Sequence, residues 1–299
     1  MVTIEEYLLG VYEDFKKYVD AGENLCELKS LHYQAGNVPD YSEVHIQQYY
    51  LLRYAYAYAF EYKNMFLDLF TENQYCDNIK VTSLGCGNAI DYWSLVEALK
   101  TSGQENCIID YRGIDYIDWN YKVGARIEDE FWIEQGNVAD ELKECDVLTS
   151  DVYFFPKSIS EFTENDFQVI CKCFSDKPIE KNNVHIMISL RSDECSMDRD
   201  MHRSEKLVDA MQKNGYVTME DTRVYRRFRN LQDGIRRNDR EFMYPNCALE
   251  LLKNLQAQCG EYPSEDTECG DECGKHLNRQ PIMKVGNICY QILSFIREK

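Results

Sequence analysis

The sequence predicts an α/β fold: a mainly parallel sheet covered by helices on both faces, preceded by a helical extension and interrupted late by a cysteine-rich insertion. Three observations predict it. Short β-branched and apolar runs alternate with helix-period segments from residue 79 onward, the pattern of crossover-connected parallel strands. The first 75 residues instead carry helical periodicity without strand signals. Residues 247–276 hold four cysteines and a histidine among acidic residues, unlike anything before them.

Taken in order, 4–19 (IEEYLLGVYEDFKKYV) places Leu8, Leu9, Tyr12, Phe15 and Val19 near a 3.6-residue period. Residues 24–41, with Gly36 and Pro39, read as a loop. The stretch 44–70 is a long helix, apolar on all sides and therefore buried on more than one. In it Tyr50, Tyr54 and Tyr58 recur four apart, with Arg53 beside them. Strands are expected at 79–84, 107–115, 131–135, 151–157, 183–190 and 218–226, with a last one at 287–297. Helices are expected at 90–100, 159–174 and 198–213. The expected boundaries are a helical cap over 1–75, a core over 76–230 completed by 281–299, and an insertion over 231–280.

The totals narrow the function. A formal charge of −19 opposes broad attraction to nucleic acid or anionic membrane. No apolar run reaches the ~20 residues that span a bilayer. The N-terminus lacks the basic-then-apolar pattern of an export signal, so a cytoplasmic location is expected and the 13 cysteines are expected to be reduced or metal-bound.

The chemistry concentrates at SLGCGN (83–88). A strand ends, Gly85 and Gly87 turn the chain, and a helix begins, so backbone N–H groups face an approaching ligand. YRGID ends the next strand at Asp115, 28 residues beyond Gly87, where an acid can accept from both ribose hydroxyls. QGNVADEL (135–142) follows the third strand. The third glycine of the dinucleotide fingerprint is absent, its place taken by Ile90.

These three segments together resemble the class I S-adenosylmethionine-dependent methyltransferases, over roughly 79–226 and 285–299. The resemblance implies a Rossmann-like seven-stranded sheet, mainly parallel, with an antiparallel last strand. It implies that Gly85, Gly87 and Asn88 lie under the methionine part, that Asp115 holds the ribose, and that Asn137 and Val138 meet adenine. The family usually has Asp where this chain has Asn137. Asp91, in the first turn of the following helix, would lie near the cofactor's amino-acid end. Lid residues in this family come from helices before the first strand, which makes Arg53 and Tyr54 candidates; core packing is the other reading of that helix.

The end of the fourth strand borders the reacting methyl in this family, so Pro156, Lys157, Ser158 and Glu161 are expected to face the cleft. Lys157 or Glu161 could orient a substrate or act as a base; a loop lysine and a helix-capping serine are the alternative. Cys247, Cys259, Cys269 and Cys273 are separated by 11, 9 and 3 residues, with His276 as an alternative ligand, a set that suits tetrahedral zinc. An iron–sulfur cluster or unliganded thiols stay open. Residues 223–240 carry seven Arg against two Asp. Arg223, Arg226, Arg227, Arg229, Arg236 and Arg237 could bind RNA phosphate or an acidic small molecule, or pair with the chain's own acids. The expected activity is methyl transfer to a small molecule or protein. An RNA methyltransferase and a non-catalytic cofactor-binding module are the alternatives.

Overall fold

The computed structural model describes residues 1–31, 40–75, 77–191, 194–224, 226–228, 243–261, 271–282 and 288–298. The chain forms two compact units. One comprises Glu61–Asp118, Ala125–Ile235 and Val285–Lys299; the other comprises Met1–Phe60, Trp119–Gly124 and Arg236–Lys284. The expected cap and the expected cysteine-rich insertion thus fall in the same unit.

The larger unit is built on the sheet. Its strands are β1 (Asn78–Leu84), β2 (Ile108–Asp115), β3 (Glu130–Gln135), β4 (Val152–Pro156), β5 (Asn183–Ser189), β6 (Tyr216–Val217), β7 (Arg226–Phe228) and β8 (Ile288–Arg297). The described order is β3-β2-β1-β4-β5-β8-β6, with β7 also pairing β8. The first five strands run parallel. β8 runs antiparallel beside β5, from Asn183↔Ile296 to Ser189↔Tyr290. With β6 and β7 counted as one interrupted strand, this is the Rossmann-like seven-stranded sheet expected from sequence.

The residues explain the parallel arrangement. β4 and β5 are buried along almost their whole length, which suits strands covered on both faces. Asp151 stands just before β4, where its Oδ2 accepts from the Lys80 N–H at 2.9 Å. Pairing of β4 with β1 is therefore anchored at its start. Helices α3 (Ile90–Thr101), α4 (Val138–Glu144), α5 (Glu164–Asp176) and α6 (Glu194–Lys213) follow β1, β3, β4 and β5. In α5, Phe167, Ile170, Cys173 and Phe174 fall on one face and join the core of Tyr153, Phe155, Ile186 and Leu293. Thr163 caps α5 by accepting from the Asp166 N–H at 3.1 Å.

The expected strand at 218–226 is broken. β6 ends at Val217 and β7 begins at Arg226. Between them Asp221 accepts from the Arg223 N–H at 2.9 Å and from its guanidinium at 3.0 Å. Such local side-chain bonds compete with a ladder and turn the chain.

The second unit is helical. Thr3 and Glu6 form a capping box at the start of α1 (Ile4–Asp20). Its buried stripe is Ile4, Leu8, Val11, Phe15 and Val19, while Leu9 is exposed. The 29-residue α2 (Val44–Glu72) lends its first part to this unit. The cysteine-rich segment, expected as an insertion of its own, contributes α7 (Asn246–Lys253) and α8 (Asp271–Leu277). It is stitched to the N-terminal helices. Tyr49 Oη donates to the Leu277 carbonyl at 2.8 Å, and Tyr244 Oη donates to that of Leu52 at 2.7 Å. The Gly260 N–H donates to the Glu23 carbonyl at 3.2 Å, in an approach so close that a Cβ on Gly260 would stand 1.9 Å from the Gly22 oxygen. Among the described residues no helix is long and apolar enough to cross a membrane.

Candidate cofactor site

The glycine turn lies where expected, at the C-terminal end of β1. Gly85, Gly87 and Ala89 all have left-handed backbones, at φ +78°, +57° and +61°. The Gly85 and Cys86 N–H groups both donate to the Ile114 carbonyl, at 2.8 and 3.1 Å, binding the turn to the end of β2. Ala89 in this conformation was not legible from sequence, because alanine carries no signal for it.

Asp115 joins the strand ends. Its Oδ2 accepts from the Gly87 N–H at 2.7 Å and its Oδ1 from the Ile117 N–H at 2.8 Å. Its carbonyl accepts from the Gly136 N–H at 2.9 Å, which ties in the segment after β3. The acid therefore shapes the turn it was expected to face. A carboxylate oxygen can accept more than one hydrogen bond.

Asn137 is the N-cap of α4, with Oδ1 accepting from the Ala139 N–H at 2.8 Å. Its Nδ2 lies 3.4 Å from an Asp166 oxygen. Val138 is the first residue of the helix and is buried, and its N–H is one of those a helix start leaves without an intrahelical partner. Asn137→Ala is expected to cost about 1 kcal/mol in urea unfolding through loss of the cap, and Asn137→Asp to cost far less.

Gly85 differs from expectation. The space over its Cα is filled by Ser158, whose Cβ lies 2.6 Å from where a Cβ on Gly85 would stand. Ser158 is buried and its Oγ donates to the Leu84 carbonyl. The glycine is needed for this approach as well as for its positive φ. Gly85→Ala should cost about 2–4 kcal/mol, summing left-handed strain and overpacking. Adding Ser158→Gly should restore part of it, as read by the same unfolding measurement.

Asp91 lies in the first turn of α3. It is fully buried and accepts from Tyr111 Oη at 2.9 and 3.0 Å, and burial pushes its carboxyl up to about 6. Lys157 exposes only 11% of its side chain. It is a non-glycine residue at φ +59°, and its ammonium donates to Glu61 Oε1 at 2.8 Å and to the Leu190 carbonyl. Ser189 Oγ donates to the same Glu61 oxygen. Glu61 was missed from sequence: one acid in an apolar helix gives no sign of its partner.

Glu161 is the expected residue that stays accessible. Protein surrounds it on most sides, yet 34% of its side chain remains open to solvent. Burial raises its carboxyl, to about 7, with Arg191 pulling downward and Asp115 and Asp200 pushing upward. The solvent it keeps tempers that rise. The Arg191 guanidinium donates to Glu161, and the Arg191 N–H donates to Asp200 at 2.8 Å. Arg191, just beyond β5, was also missed.

The remaining candidates lie elsewhere. Arg53 is buried within the helical unit, its guanidinium carbon 5.4 Å from the Tyr49 ring centre and 4.8 Å from that of Tyr54. Tyr54 stacks on Tyr58 with centroids 5.8 Å apart. Both are core residues of that unit. Of the expected metal ligands, Cys269 lies outside the described residues. Cys247 is exposed, Cys259 and Cys273 are buried, and Cys259 Sγ accepts from the Leu25 N–H at 3.5 Å. Among the described residues no three His, Cys, Asp or Glu side chains gather as a metal site, so the expected tetrahedral set is not formed by its described members. Of the arginines, exposed Arg223 is paired with Asp221 at 3.0 Å. Arg226 and Arg227 lie in β7; Arg229, Arg236 and Arg237 lie outside the described residues.

No family model and no curated protein matches this chain. Among solved structures, the plantazolicin methyltransferase BpumL in complex with SAH is 11% identical at a TM-score of 0.41, covering 96% of this chain and 99% of its own. A cyclopropane-fatty-acyl-phospholipid synthase-like protein from Lactobacillus casei is 12% identical at 0.41, covering 80% and 92%. A SAM-dependent methyltransferase from Archaeoglobus fulgidus is 11% identical at 0.37, covering 79% and 94%. These likenesses are distant; the functional reading rests on this chain's own sheet order and site.

Proposed function

We propose that this chain is an S-adenosylmethionine-dependent methyltransferase acting on a small molecule or a protein. One observation carries the reading: the glycine turn after β1 is tied through Gly87 to the carboxylate of Asp115 at the end of β2, beside the start of α4. A nucleoside fits that arrangement. Asp115 would accept from the ribose hydroxyls. The Val138 N–H and Asn137 would meet the adenine edge, with the Val138 side chain on its face. Gly87 and Asn88 would lie under the methionine part, while Gly85 acts from below by seating Ser158.

Charge favours this cofactor over a dinucleotide. Asp115 is close enough to raise the cost of ionising Glu161, and the positive side chain beside Glu161 is already paired with it. A pyrophosphate would meet this negative field unfavourably; a sulfonium and an ammonium would meet it favourably. Bound S-adenosylmethionine supplies an electrophilic methyl group. The chain's own part is to position the acceptor in line with it. Glu161 would orient that acceptor or take its proton, and Lys157, bonded to Glu61, would steady the loop that carries Ser158 and Glu161. The −19 charge disfavours RNA as substrate.

Calorimetric titration with S-adenosylmethionine and with S-adenosylhomocysteine tests the reading. Saturable micromolar binding of both, one per chain, is expected. Absence of binding to either overturns it. Binding without methyl transfer to any small-molecule or protein acceptor would leave a cofactor-binding module.

A further inference from the structure

Arg53 carries a charge that the described residues do not answer. It lies in α2, inside the helical unit, at 5% exposure. Its Nε is buried and has no acceptor. Among the described residues no carboxylate pairs with it. Its own helix has none to offer nearby, because Val44 to Phe60 contains no acid.

The surroundings of the guanidinium are aromatic. Its carbon stands 5.4 and 4.8 Å from the ring centres of Tyr49 and Tyr54. Tyr54 in turn meets Tyr50 and Tyr58, with centroids 5.1 and 5.8 Å apart, and those two are only half-buried. The Tyr49 hydroxyl is committed elsewhere: it donates to the Leu277 carbonyl at 2.8 Å, with that of His276 at 3.2 Å. Burial raises this hydroxyl to about 12, with Arg53 and Arg279 pulling it down, so it stays a neutral neighbour. Arg279 belongs to the same unit and is a second cation. Its Nε donates to the Lys275 carbonyl at 2.9 Å, and among the described residues no acid pairs with it.

Aromatic faces are negative and recover part of the cost of burying a cation. They do not balance it, since a buried charge calls for an opposite one. In a chain of net charge −19, with acids to spare, two arginines beside one tyrosine and no acid paired with either point to an anion from outside the chain.

We propose that the Arg53 guanidinium binds the carboxylate of a small aromatic acid. Nε and a terminal nitrogen present two parallel N–H groups, which a flat two-oxygen group meets side by side. A phosphate would bring further oxygens, and the Tyr49 hydroxyl has already given its proton to carbonyls. The half-buried Tyr50 and Tyr58 rings offer an aromatic body a stacking surface. The proposal is independent of the cofactor reading.

Calorimetry on the full chain, at pH 7 and 0.15 M KCl, compares phenylacetate with phenylacetamide and with inorganic phosphate. Phenylacetate is expected to saturate a single site at least about tenfold more tightly than either, and to raise the melting temperature. Arg53→Met removes the charge and keeps an apolar stem. It should abolish the preference for acid over amide and leave S-adenosylmethionine affinity unchanged, with circular dichroism reporting the fold. Arg53→Lys keeps the charge without the fork and should weaken phenylacetate at least about threefold, which serves where the Met variant does not fold. Equal binding of acid and amide by wild type, tighter binding of phosphate, or an unchanged preference in the Met or Lys variant would each overturn the proposal. An equal loss of S-adenosylmethionine affinity in Arg53→Met would overturn a separate site.

Discussion

Asp115→Ala is expected to weaken S-adenosylmethionine binding by about 100-fold or more. Hydrogen bonds to a charged group are worth about 1.5–3 kcal/mol each, and two ribose hydroxyls would lose theirs. At about 1.4 kcal/mol per decade, even the lower figure for both bonds gives two decades. The substitution also frees the Gly87 and Ile117 N–H groups that the carboxylate holds at 2.7 and 2.8 Å, so the turn loosens as well. Asp115→Asn separates the two effects. It keeps one acceptor oxygen and loses the charge, and should retain the turn better than it retains affinity. Calorimetry reads the binding and circular dichroism reads the fold. A folded Ala variant that binds within threefold of wild type would place the ribose elsewhere and remove the main support for the functional reading.

Glu61→Ala is expected to destabilise the larger unit by about 3–5 kcal/mol, because it removes the carboxylate that holds a buried ammonium. Lys157 and Glu61 expose only 11% and 3% of their side chains. The Lys157 ammonium would keep only the Leu190 carbonyl among the contacts described above, and the Ser189 hydroxyl would lose its acceptor. The reverse change, Lys157→Met, leaves a buried carboxylate but allows it to protonate, so its cost should be smaller and should shrink at low pH. The double variant Glu61→Met/Lys157→Met should recover most of the loss, since an apolar pair of like volume is often as stable as a buried ion pair. Urea unfolding of wild type, Glu61→Met, Lys157→Met and the double variant gives the cycle; additive single effects would refute the coupling.

Much of the sheet was legible because its strands obey local rules. β1, β2, β4 and β5 are short apolar runs ended by turn residues, and their boundaries agree with expectation within about two residues. The interrupted strand was not legible. Val217 and Arg226 both belong to the outer edge, but the pairing of Asp221 with Arg223 depends on a two-residue spacing that also occurs in strands. Gly87 and Asp115 were legible as neighbours at the ends of β1 and β2, because the spacing of turn and acid follows the strand ends. Lys157 and Ser158 were placed at the correct strand end with the wrong outlook. Where a side chain points after a strand depends on partners such as Glu61 and Gly85, which lie 96 and 73 positions away in the chain. The role of the cysteine-rich segment was hidden for the same reason: the bonds from Tyr49 and Tyr244 that hold it span 228 and 192 positions.

The position of β8 has a consequence for biogenesis. This strand is made last among the eight, yet it lies between β5 and β6. Until Ile288–Arg297 leaves the ribosome, β5 presents a bare hydrophobic edge, with Val184, Ile186 and Ile188 all destined for full burial. Unpaired edges of this kind recruit other chains. Late closure by a strand paired with residues about a hundred positions earlier is also slow. A chain stalled before residue 288 is therefore expected to engage holdase chaperones, and a peptide copying β8 added in trans should compete for that edge during refolding.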